Sequence, residues 1–265
     1  MPFQLDFSDR VVLVTGATSG IGLGIARQFA RAGAAIAGCG LDTDDSPGAA
    51  ELRRVVQGES GREPLYVQTD VTQPADLERL VAQTISTFGR LDVLASNAGT
   101  NVFRGAADCT EDDWTFNLNL NVASHWRLAR LCKPYLEQSP AGGVIVINSS
   151  CHAFSSLPGS FPYNVAKTAL LGVVRALTLE WSPRIRTVGV APGFIDTPLN
   201  EQWFGTFPDP AAERERVANQ FPMRRLGTAD EIGGWFVFLA SDYARFAAGQ
   251  TYLVDGGRSA VMTDS

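Results

Sequence analysis

The feature that most constrains the fold of this 265-residue chain is the alternation of short β-rich apolar runs with longer segments of helical period. Parallel strands joined by crossover helices produce this alternation. Several runs are continuously apolar, such as 144–147, which is typical of strands covered by helices on both faces. The sequence therefore predicts one α/β domain over 1–265, a doubly wound sheet of about seven parallel strands with helices on both faces. The expected strands are 11–15, 34–39, 64–68, 91–95, 144–148, 185–191 and 251–254.

Several longer segments have the length and apolar period of helices, and one stretch fits neither pattern. The predicted helices include 21–32, 75–88, 111–138, 161–181 and 229–241. The remaining stretch, 196–222, mixes four prolines with Trp203, Phe204 and Phe207 in a polar background. Such a segment is more typical of a loop over a binding site than of a core element. We therefore predict a substrate lid at about 196–222.

The charge balance and the apolar runs argue against two classes of partner. The net charge is −6, so the chain lacks the basic surplus that displaces counterions from a nucleic acid. Gly, Pro or a charged residue interrupts every apolar run before the roughly 18 residues of a membrane-spanning helix. The N-terminal stretch carries an acid where a secretion signal carries basic residues. We predict a cytoplasmic protein with neither nucleic-acid nor membrane partners.

The cysteines and histidines give no pattern for a metal site. The four cysteines are scattered without the short paired spacing of a zinc site or a redox motif, and the chain has only two histidines. Reduced thiols and no metal are the prediction. The cysteines are Cys39, Cys109, Cys132 and Cys151.

A glycine-rich turn directly after the first predicted strand points to phosphate binding. Gly16 can form the tight turn, Gly20 lets the backbone approach a pyrophosphate, and Gly22 lets the following helix pack closely on the strand. The helix N-terminus would add free N–H groups and a favourable dipole. The spacing is neither G-x-G-x-x-G nor an ATP-binding loop with its Lys-Ser/Thr ending, and glycines can also serve a turn alone. The other residues of this turn predicted to contact a dinucleotide are Thr18, Ser19 and Ile21.

The end of the second predicted strand bears on the choice of cofactor. The stretch 40–45 contains three acids and no Arg or Lys. A carboxylate such as Asp42 can accept hydrogen bonds from ribose hydroxyls and would repel a 2′-phosphate, so NAD is preferred over NADP. These acids could equally form a solvated loop. Asp70, with Val71 beside it, can face the adenine or cap the helix that starts near Pro74.

Three polar residues form a candidate catalytic group. Tyr163 and Lys167 are four residues apart in predicted helix 161–181, so they share one helix face. A free tyrosine titrates near roughly pH 10, and a nearby ammonium would lower its pKa. Ser150 ends a buried strand at the edge where open α/β sheets bind ligands. Its hydroxyl can hold a carbonyl oxygen, or it can satisfy turn backbone as we expect of Ser149.

Taken together, these motifs resemble the short-chain dehydrogenase/reductase family in both order and spacing, over nearly the whole chain. Ser96, where many members have Asn, and Ala153, where many have Gly, depart from the pattern without removing a reacting group. The matching motifs are Thr15-Gly16-x-x-x-Gly20-x-Gly22, Asn97-Ala98-Gly99, Ser150, Tyr163-x-x-x-Lys167, Pro192-Gly193, Pro222 to Gly227 and Asp255-Gly256-Gly257.

The resemblance implies a Rossmann-like fold and a role for each residue of the group. Tyr163 would be the catalytic acid/base, Lys167 would bind the nicotinamide ribose and lower the tyrosine's pKa, and Ser150 would position the substrate oxygen. Asn121 would hold a water of the proton relay. Further residues implied to contact the cofactor, or else to shape turns, are Asn97, Ala98, Gly99, Pro192, Gly193, Ile195 and Thr197.

The predicted activity is the interconversion of a secondary alcohol and its ketone by hydride transfer, with NAD preferred. Asn101, His152 and Trp203 would shape the substrate pocket beside Ser150 and Tyr163, which suits a small sugar, polyol or hydroxy acid. By resemblance the chain would form a homodimer or homotetramer.

Three other functions stay open at this point. One is a 3-oxoacyl-carrier-protein reductase that uses NADPH, and another is a nicotinamide-nucleotide-binding protein without turnover. The third, a methyl transferase, explains the glycine-rich turn but not the pairing of Tyr163 with Lys167.

Overall fold

All seven predicted β-runs form strands of one parallel sheet in the computed structural model, which describes residues 5–262. The strands of this sheet are β1 (Val11–Thr15), β2 (Ala35–Gly40), β3 (Leu65–Gln68), β4 (Val93–Ser96), β5 (Gly143–Asn148), β6 (Ile185–Pro192) and β9 (Thr251–Val254). Two short strands, β7 (Ile195–Asp196) and β8 (Gly227–Thr228), pair in a separate parallel sheet. The helices are α1 (Gly20–Arg31), α2 (Pro47–Ser60), α3 (Pro74–Phe88), α4 (Glu111–Leu118), α5 (Ser124–Leu136), α6 (Tyr163–Trp181), α7 (Pro198–Phe204), α8 (Pro210–Ala218) and α9 (Ala229–Ala240).

The strand order of the sheet is β3-β2-β1-β4-β5-β6-β9, which confirms the predicted Rossmann-like fold. Each neighbouring pair is parallel. The chain moves outward from β1 to β3 and then returns to place β4 on the other side of β1. Adjacent crossover connections diverge at this point, which is where open α/β sheets form a ligand crevice beyond the carboxyl ends of their strands.

Helices cover both faces of the sheet, as the continuously apolar strands predict. Along β1, Val12 and Val14 belong to the core cluster that includes α1 and α9. Val11 and Leu13 belong to the opposite cluster, which includes α3, α5 and α6. Because successive side chains of a strand point to opposite faces, a strand buried on both sides must be apolar throughout. Across residues 5–262, no helix has both the length and the apolar character to span a membrane.

Helix α2, which connects β2 with β3, was not among the helices predicted from the sequence. Helix α2 follows Ser46, whose hydroxyl accepts a hydrogen bond from Ala49 N at 3.1 Å. Pro47 occupies the first turn, and Gly61 ends the helix with a φ of +70°. A serine cap, an early proline and a terminal glycine are ordinary helix boundaries, so the signal was present in the sequence.

The predicted helix 111–138 forms without a break over residues 111–136, but it is not a regular α-helix throughout. A π-helical turn over Asn119–Ala123 lies between α4 and α5. Two asparagine side chains bond to backbone outside the helix at this point: Asn117 to Pro162 O, and Asn121 to Thr100. π-helical turns insert a residue into a helix and often occur at functional sites.

The lid segment, defined here as residues 196–222, is more ordered than its composition predicts. It contains α7 and α8, each with a proline in its first turn and a side-chain cap, from Thr197 and Asp209 respectively. Phe204, Val217 and Phe221 form a small apolar cluster with Leu226. Two of the four prolines, Pro198 and Pro210, therefore begin helices, because proline is tolerated in a first helical turn.

Candidate active site

A cavity of about 910 Å³ lies at the carboxyl ends of the central strands. Every residue that the sequence predicts to contact the cofactor lines it, with the lid segment along one side. These residues are Gly16, Thr18, Ser19, Gly20, Ile21, Gly22, Asp42, Asp70, Val71, Asn97, Ala98, Gly99, Tyr163, Lys167, Pro192, Gly193, Ile195 and Thr197.

The glycine-rich turn has a shape that suits a pyrophosphate. Gly16 and Gly20 have φ angles of +67° and +52°, a region that favours glycine. A Cβ on Gly22 would overlap the carbonyl of Gly16, so helix α1 can pack this closely only without a side chain. Ser19 makes no side-chain cap bond to the start of α1. The turn therefore fits a dinucleotide phosphate at a helix N-terminus.

The acidic end of the cavity lies beside this turn. The Asp42 carboxylate accepts a hydrogen bond from the Thr18 hydroxyl at 2.9 Å, and Asp42 itself is exposed. Tyr66 donates to the Asp42 carbonyl at 2.7 Å and so holds the loop against β3. Asp70 accepts hydrogen bonds from both the backbone and the hydroxyl of Thr72. It makes a local turn and does not cap α3, which corrects one of the two alternatives for this residue.

A chain of hydrogen bonds crosses the ends of three neighbouring strands. Asn97 Nδ2 donates to Thr15 O at 2.9 Å, and Asn148 Nδ2 donates to Asn97 Oδ1 at 2.8 Å. Lys167 Nζ donates to Asn148 O at 3.1 Å. We call Thr15, Asn97, Asn148 and Lys167 the strand-end network. It connects the glycine-rich turn with helix α6. The turn and the catalytic candidates are therefore positioned relative to each other by the same hydrogen bonds.

The three catalytic candidates meet in the same cavity. Ser150, Tyr163 and Lys167 are each less than one tenth exposed, and all line the cavity wall. Lys167 Nζ lies 5.5 Å from the centre of the Tyr163 ring. Ser150 also accepts a hydrogen bond from His152 N at 3.2 Å, so it serves the turn after β5 as well. The Ser149 hydroxyl instead donates to Lys167 O at 2.9 Å and ties the strand end to α6.

Burial dominates the electrostatics of this group in the protein alone. It raises the pKa of Tyr163, while the nearby Ser150 side chain acts in the opposite direction. Burial also lowers the pKa of Lys167 to about 8. The expected lowering of the Tyr163 pKa by Lys167 is not seen in the protein alone, where desolvation favours the neutral form of both groups. A phenolate at this position needs further positive charge beside it.

Asn121 lies behind the cavity lining, and the role of holding a water stays a prediction. It is fully buried in the π-helical turn, and its Nδ2 donates to Thr100 O at 3.1 Å and to Asn117 Oδ1 at 3.0 Å. A Cβ on Gly99 would lie 2.6 Å from Asn121 Oδ1 and 3.5 Å from Lys167 Nζ. The Asn121 side chain therefore supports the Gly99–Thr100 backbone next to Lys167.

Besides Ser150 and Tyr163, two of the three other predicted substrate residues line the cavity. Asn101 and His152 lie on its wall. His152 Nδ1 lies 3.0 Å from Ser156 Oγ, and burial lowers the pKa of this imidazole. Trp203 lies outside the lining, and its contact with substrate stays a prediction. Its exposed side chain packs on Phe207 and Phe204, with ring centres 4.8 and 5.1 Å away.

Several cavity residues were not anticipated from the sequence. Phe103 packs edge-on against Tyr163, with ring centres 5.3 Å apart. Its segment, between β4 and α4, carries no strand or helix pattern that would have placed it there. Gln220 and Arg258 also line the cavity. Arg258 directly follows the Asp255-Gly256-Gly257 motif, and this adjacency was the available signal.

Comparison with known proteins places this geometry in a family. A family model described as enoyl-(acyl carrier protein) reductase matches residues 16–259. The human dehydrogenase/reductase SDR family member 4 is 36% identical over 253 residues, covering 94% of this chain and 87% of that protein. The chain belongs to the short-chain dehydrogenase/reductase family. Another family member, glucose 1-dehydrogenase of Gluconobacter oxydans (strain 621H), is 35% identical over 257 residues, covering 97% and 94% of the two chains.

Solved structures of the family agree in fold. The crystal structure of L-sorbose reductase from Gluconobacter frateurii, complexed with NADPH and L-sorbose, has a TM-score of 0.91 and 31% identity, and covers 98% of this chain and 100% of that one. Levodione reductase has a TM-score of 0.90 and 27% identity, with 97% and 100% coverage. This chain is therefore an oxidoreductase that acts on CH–OH groups with a nicotinamide cofactor and a small-molecule substrate.

Proposed function

We propose that this protein interconverts a secondary alcohol and its ketone and prefers NAD. The observation that carries the proposal is that Ser150, Tyr163 and Lys167 line one cavity with the glycine-rich turn. Three parts of the chain supply these groups: the glycine-rich turn, the end of β5 and the start of α6. A binding protein without turnover would have no need of a buried hydroxyl, phenol and ammonium around one space, since burying such groups is costly.

The residues divide the chemistry between them. When bound, the nicotinamide ring supplies the hydride acceptor or donor. The Tyr163 hydroxyl moves the proton to or from the substrate oxygen, and the Ser150 hydroxyl donates a hydrogen bond to that oxygen as its negative charge develops. Lys167 holds a positive charge beside the phenol below its pKa of about 8 and would hold the nicotinamide ribose. Asn121 is a positioning residue through Thr100.

The preference for NAD rests on the acidic end of the cavity. Asp42 and Asp70 line it there. Among the described residues that line the cavity, the only lysine and arginine are Lys167 and Arg258, which belong to its other end. A 2′-phosphate would therefore meet carboxylates without a compensating cation. The NADPH in the crystal structure of L-sorbose reductase favours NADP as the second candidate.

The substrate class, oligomeric state and location follow from weaker observations. Asn101, His152 and Gln220 offer polar contacts at the substrate end, which supports a sugar, a polyol or a hydroxy acid. Trp235 and Phe238 are exposed on α9, which supports a homo-oligomer, dimer or tetramer. A cytoplasmic location stays a prediction.

A panel of sugars, polyols, hydroxy acids and their ketones, followed by nicotinamide absorbance with both cofactors, tests the proposal. We expect turnover, with kcat/KM at least about tenfold higher for NAD than for NADP, equivalent to about 1.4 kcal/mol. Asp42→Asn should narrow this ratio, whereas Asp45→Asn, which removes the same charge from the same loop outside the cavity lining, should not. Higher kcat/KM with NADP would contradict the cofactor assignment, and failure to bind either nucleotide would contradict the function.

A further inference from the structure

A single arginine provides an uncommitted positive charge at the substrate end of the cavity. Arg258 stands in a short 3-10 turn, Arg258–Ala260, after β9, and its half-buried side chain lines the cavity. Among residues 5–262, no side chain or carbonyl forms a hydrogen bond or ion pair with its guanidinium. The mechanism above gives this charge no role.

The nearest acid in sequence is already used by the backbone. The Asp255 carboxylate accepts hydrogen bonds from Gly257 N at 3.0 Å and from Ser259 N at 2.8 Å. It therefore shapes the turn that presents Arg258 and forms no salt bridge with it. The same turn is packed on Gly193, since a Cβ there would lie 2.8 Å from Asp255 Cα. This packing fixes the turn against the loop predicted to border the nicotinamide.

The residues near Arg258 show at which end of the cavity its positive charge lies. Burial raises the pKa of the Cys151 thiol, and the positive charge of Arg258 acts in the opposite direction. Cys151 directly follows Ser150, so Arg258 lies near the group proposed to hold the substrate oxygen. Asp42 and Asp70 lie at the other end. The cavity thus has acids at its adenosine end and a cation at its substrate end.

A half-buried guanidinium is stabilised when a planar anion pairs with it, and carboxylates match its fork of donors. A carboxylate carries a single charge that one guanidinium can balance, and the other lining cation, Lys167, already donates to Asn148 O. We propose that Arg258 binds a substrate carboxylate, so that the protein acts on hydroxy acids and their keto acids. This inference rests on the proposed function and narrows its substrate class.

Matched substrates test the inference, each keto acid being compared with a neutral ketone of similar size. Suitable pairs are 5-keto-D-gluconate with D-fructose, and 4-oxopentanoate with its methyl ester. In at least one pair we expect the acid to have the higher kcat/KM. Arg258→Met should lower that value about 10- to 100-fold, the range of a charged hydrogen bond, with little change for the neutral partner. Arg258→Lys keeps the charge without the planar fork, so its loss should be smaller.

The control variant is Arg54→Met, which removes the same charge from an exposed position where Arg54 pairs with Glu51. It should leave the ratio of acid to neutral substrate unchanged. Three results would overturn the inference. These are a preference for the neutral partner in every pair, a higher kcat/KM for a sugar phosphate than for any keto acid, or equal loss on both partners in Arg258→Met.

A binding measurement separates this inference from the proposed chemistry. In a Tyr163→Phe background, calorimetric titration with the same keto acids in the presence of NADH needs no turnover. We expect the preferred acid to bind, and Arg258→Met to weaken its binding about 10- to 100-fold. Retained binding with no turnover in the wild type would leave Arg258 assigned and the reaction wrong. Binding that is unaffected by Arg258→Met would make the Arg258 assignment wrong, whatever the reaction.

Discussion

The strand-end network and the lid segment line the same cavity but are held in place by different interactions. In the network, side-chain amides and an ammonium form hydrogen bonds of 2.8–3.1 Å between strand ends. In the lid segment, Arg214 on α8 pairs with Asp196 and with Glu201, and these carboxylates are about half exposed or more. The same guanidinium stacks over Phe204, 5.4 Å from the ring centre.

The two kinds of contact differ in how they respond to change. Removing one partner of a buried hydrogen bond leaves the other unsatisfied, at a cost of about 1–3 kcal/mol. Exposed ion pairs contribute about 0–1 kcal/mol and are screened by salt. The network can therefore hold reacting groups within narrow limits, whereas loss of an exposed ion pair in the lid segment should cost the fold little.

The largest effect should come from the proton-transfer group beside the network. Tyr163→Phe keeps the ring packing on Phe103 but removes the hydroxyl, so kcat should fall by about a hundred- to ten-thousandfold. Nucleotide affinity, followed by nicotinamide fluorescence, should stay within about threefold of the wild type, since the loss concerns the reaction. Tyr135→Phe, outside the cavity lining, is the control and should retain normal turnover. Normal turnover in Tyr163→Phe would reject the assignment.

A second prediction concerns the glycine-rich turn that the network supports. In Gly22→Ala the new methyl group would overlap the Gly16 carbonyl, so α1 must shift. We expect the free energy of unfolding to fall by about 1–3 kcal/mol, as for other overpacked sites, together with loss of nucleotide binding. Gly58→Ala on α2 meets no atom within 4 Å and should be neutral or stabilise by about 0.5–1 kcal/mol. Equal behaviour of the two variants in urea unfolding would contradict the close packing.

The parts of the structure that were predictable from sequence are those that a local pattern specifies. Each strand of the sheet and the glycine-rich turn depend on local patterns, namely apolar runs and glycines at fixed spacing, and these were found. The strand-end network has no local pattern, because it joins Thr15, Asn97 and Asn148 across strands that are distant in sequence. Its existence follows only from the strand order.

The errors occurred where a local pattern has two physical meanings. Prolines in 196–222 suggested irregular chain, yet Pro198 and Pro210 start helices, since proline is compatible with a first turn. Trp203 stays a predicted substrate contact, while its ring packs on Phe204 and Phe207 of its own segment. The sequence did not single out Arg258, because the role proposed for it depends on the absence of an acidic partner among the described residues. That absence depends on the three-dimensional arrangement of the chain.

A third prediction uses the buried histidine behind the network. His125 Nδ1 lies 2.7 Å from Ser96 Oγ, and burial lowers the pKa of His125 to about 3, from 6.5. Between these pH values the unfolded chain takes up a proton on His125 that the folded chain does not. Stability should therefore fall as pH falls through this window, by about 1.4 kcal/mol per pH unit well below 6.5.

His125→Asn can still bond to Ser96 but cannot titrate, so its unfolding free energy should fall less steeply on acidification. Urea unfolding between about pH 7 and pH 4 measures the difference in slope. His152→Asn is the matched control, because His152 is only half-buried and should contribute less. Parallel slopes for the wild type and His125→Asn would show that His125 takes up its proton in the folded protein too.

The smallest effect should come from the lid segment, and its response to salt should distinguish it from the network. Arg214→Gln removes the exposed pairs with Asp196 and Glu201, so we expect KM to rise by at most about fivefold, equivalent to about 1 kcal/mol, with kcat within about twofold. In the wild type, about 1 M salt should raise KM similarly, because the Debye length falls to about 3 Å. The variant should lose this salt response. Arg216→Gln, whose partner Glu213 lies on the same helix, should keep the salt response.

If KM of Arg214→Gln rose with salt as steeply as in the wild type, the ion pairs would not hold the lid segment. Its position would then depend on the aromatic cluster around Phe204 instead.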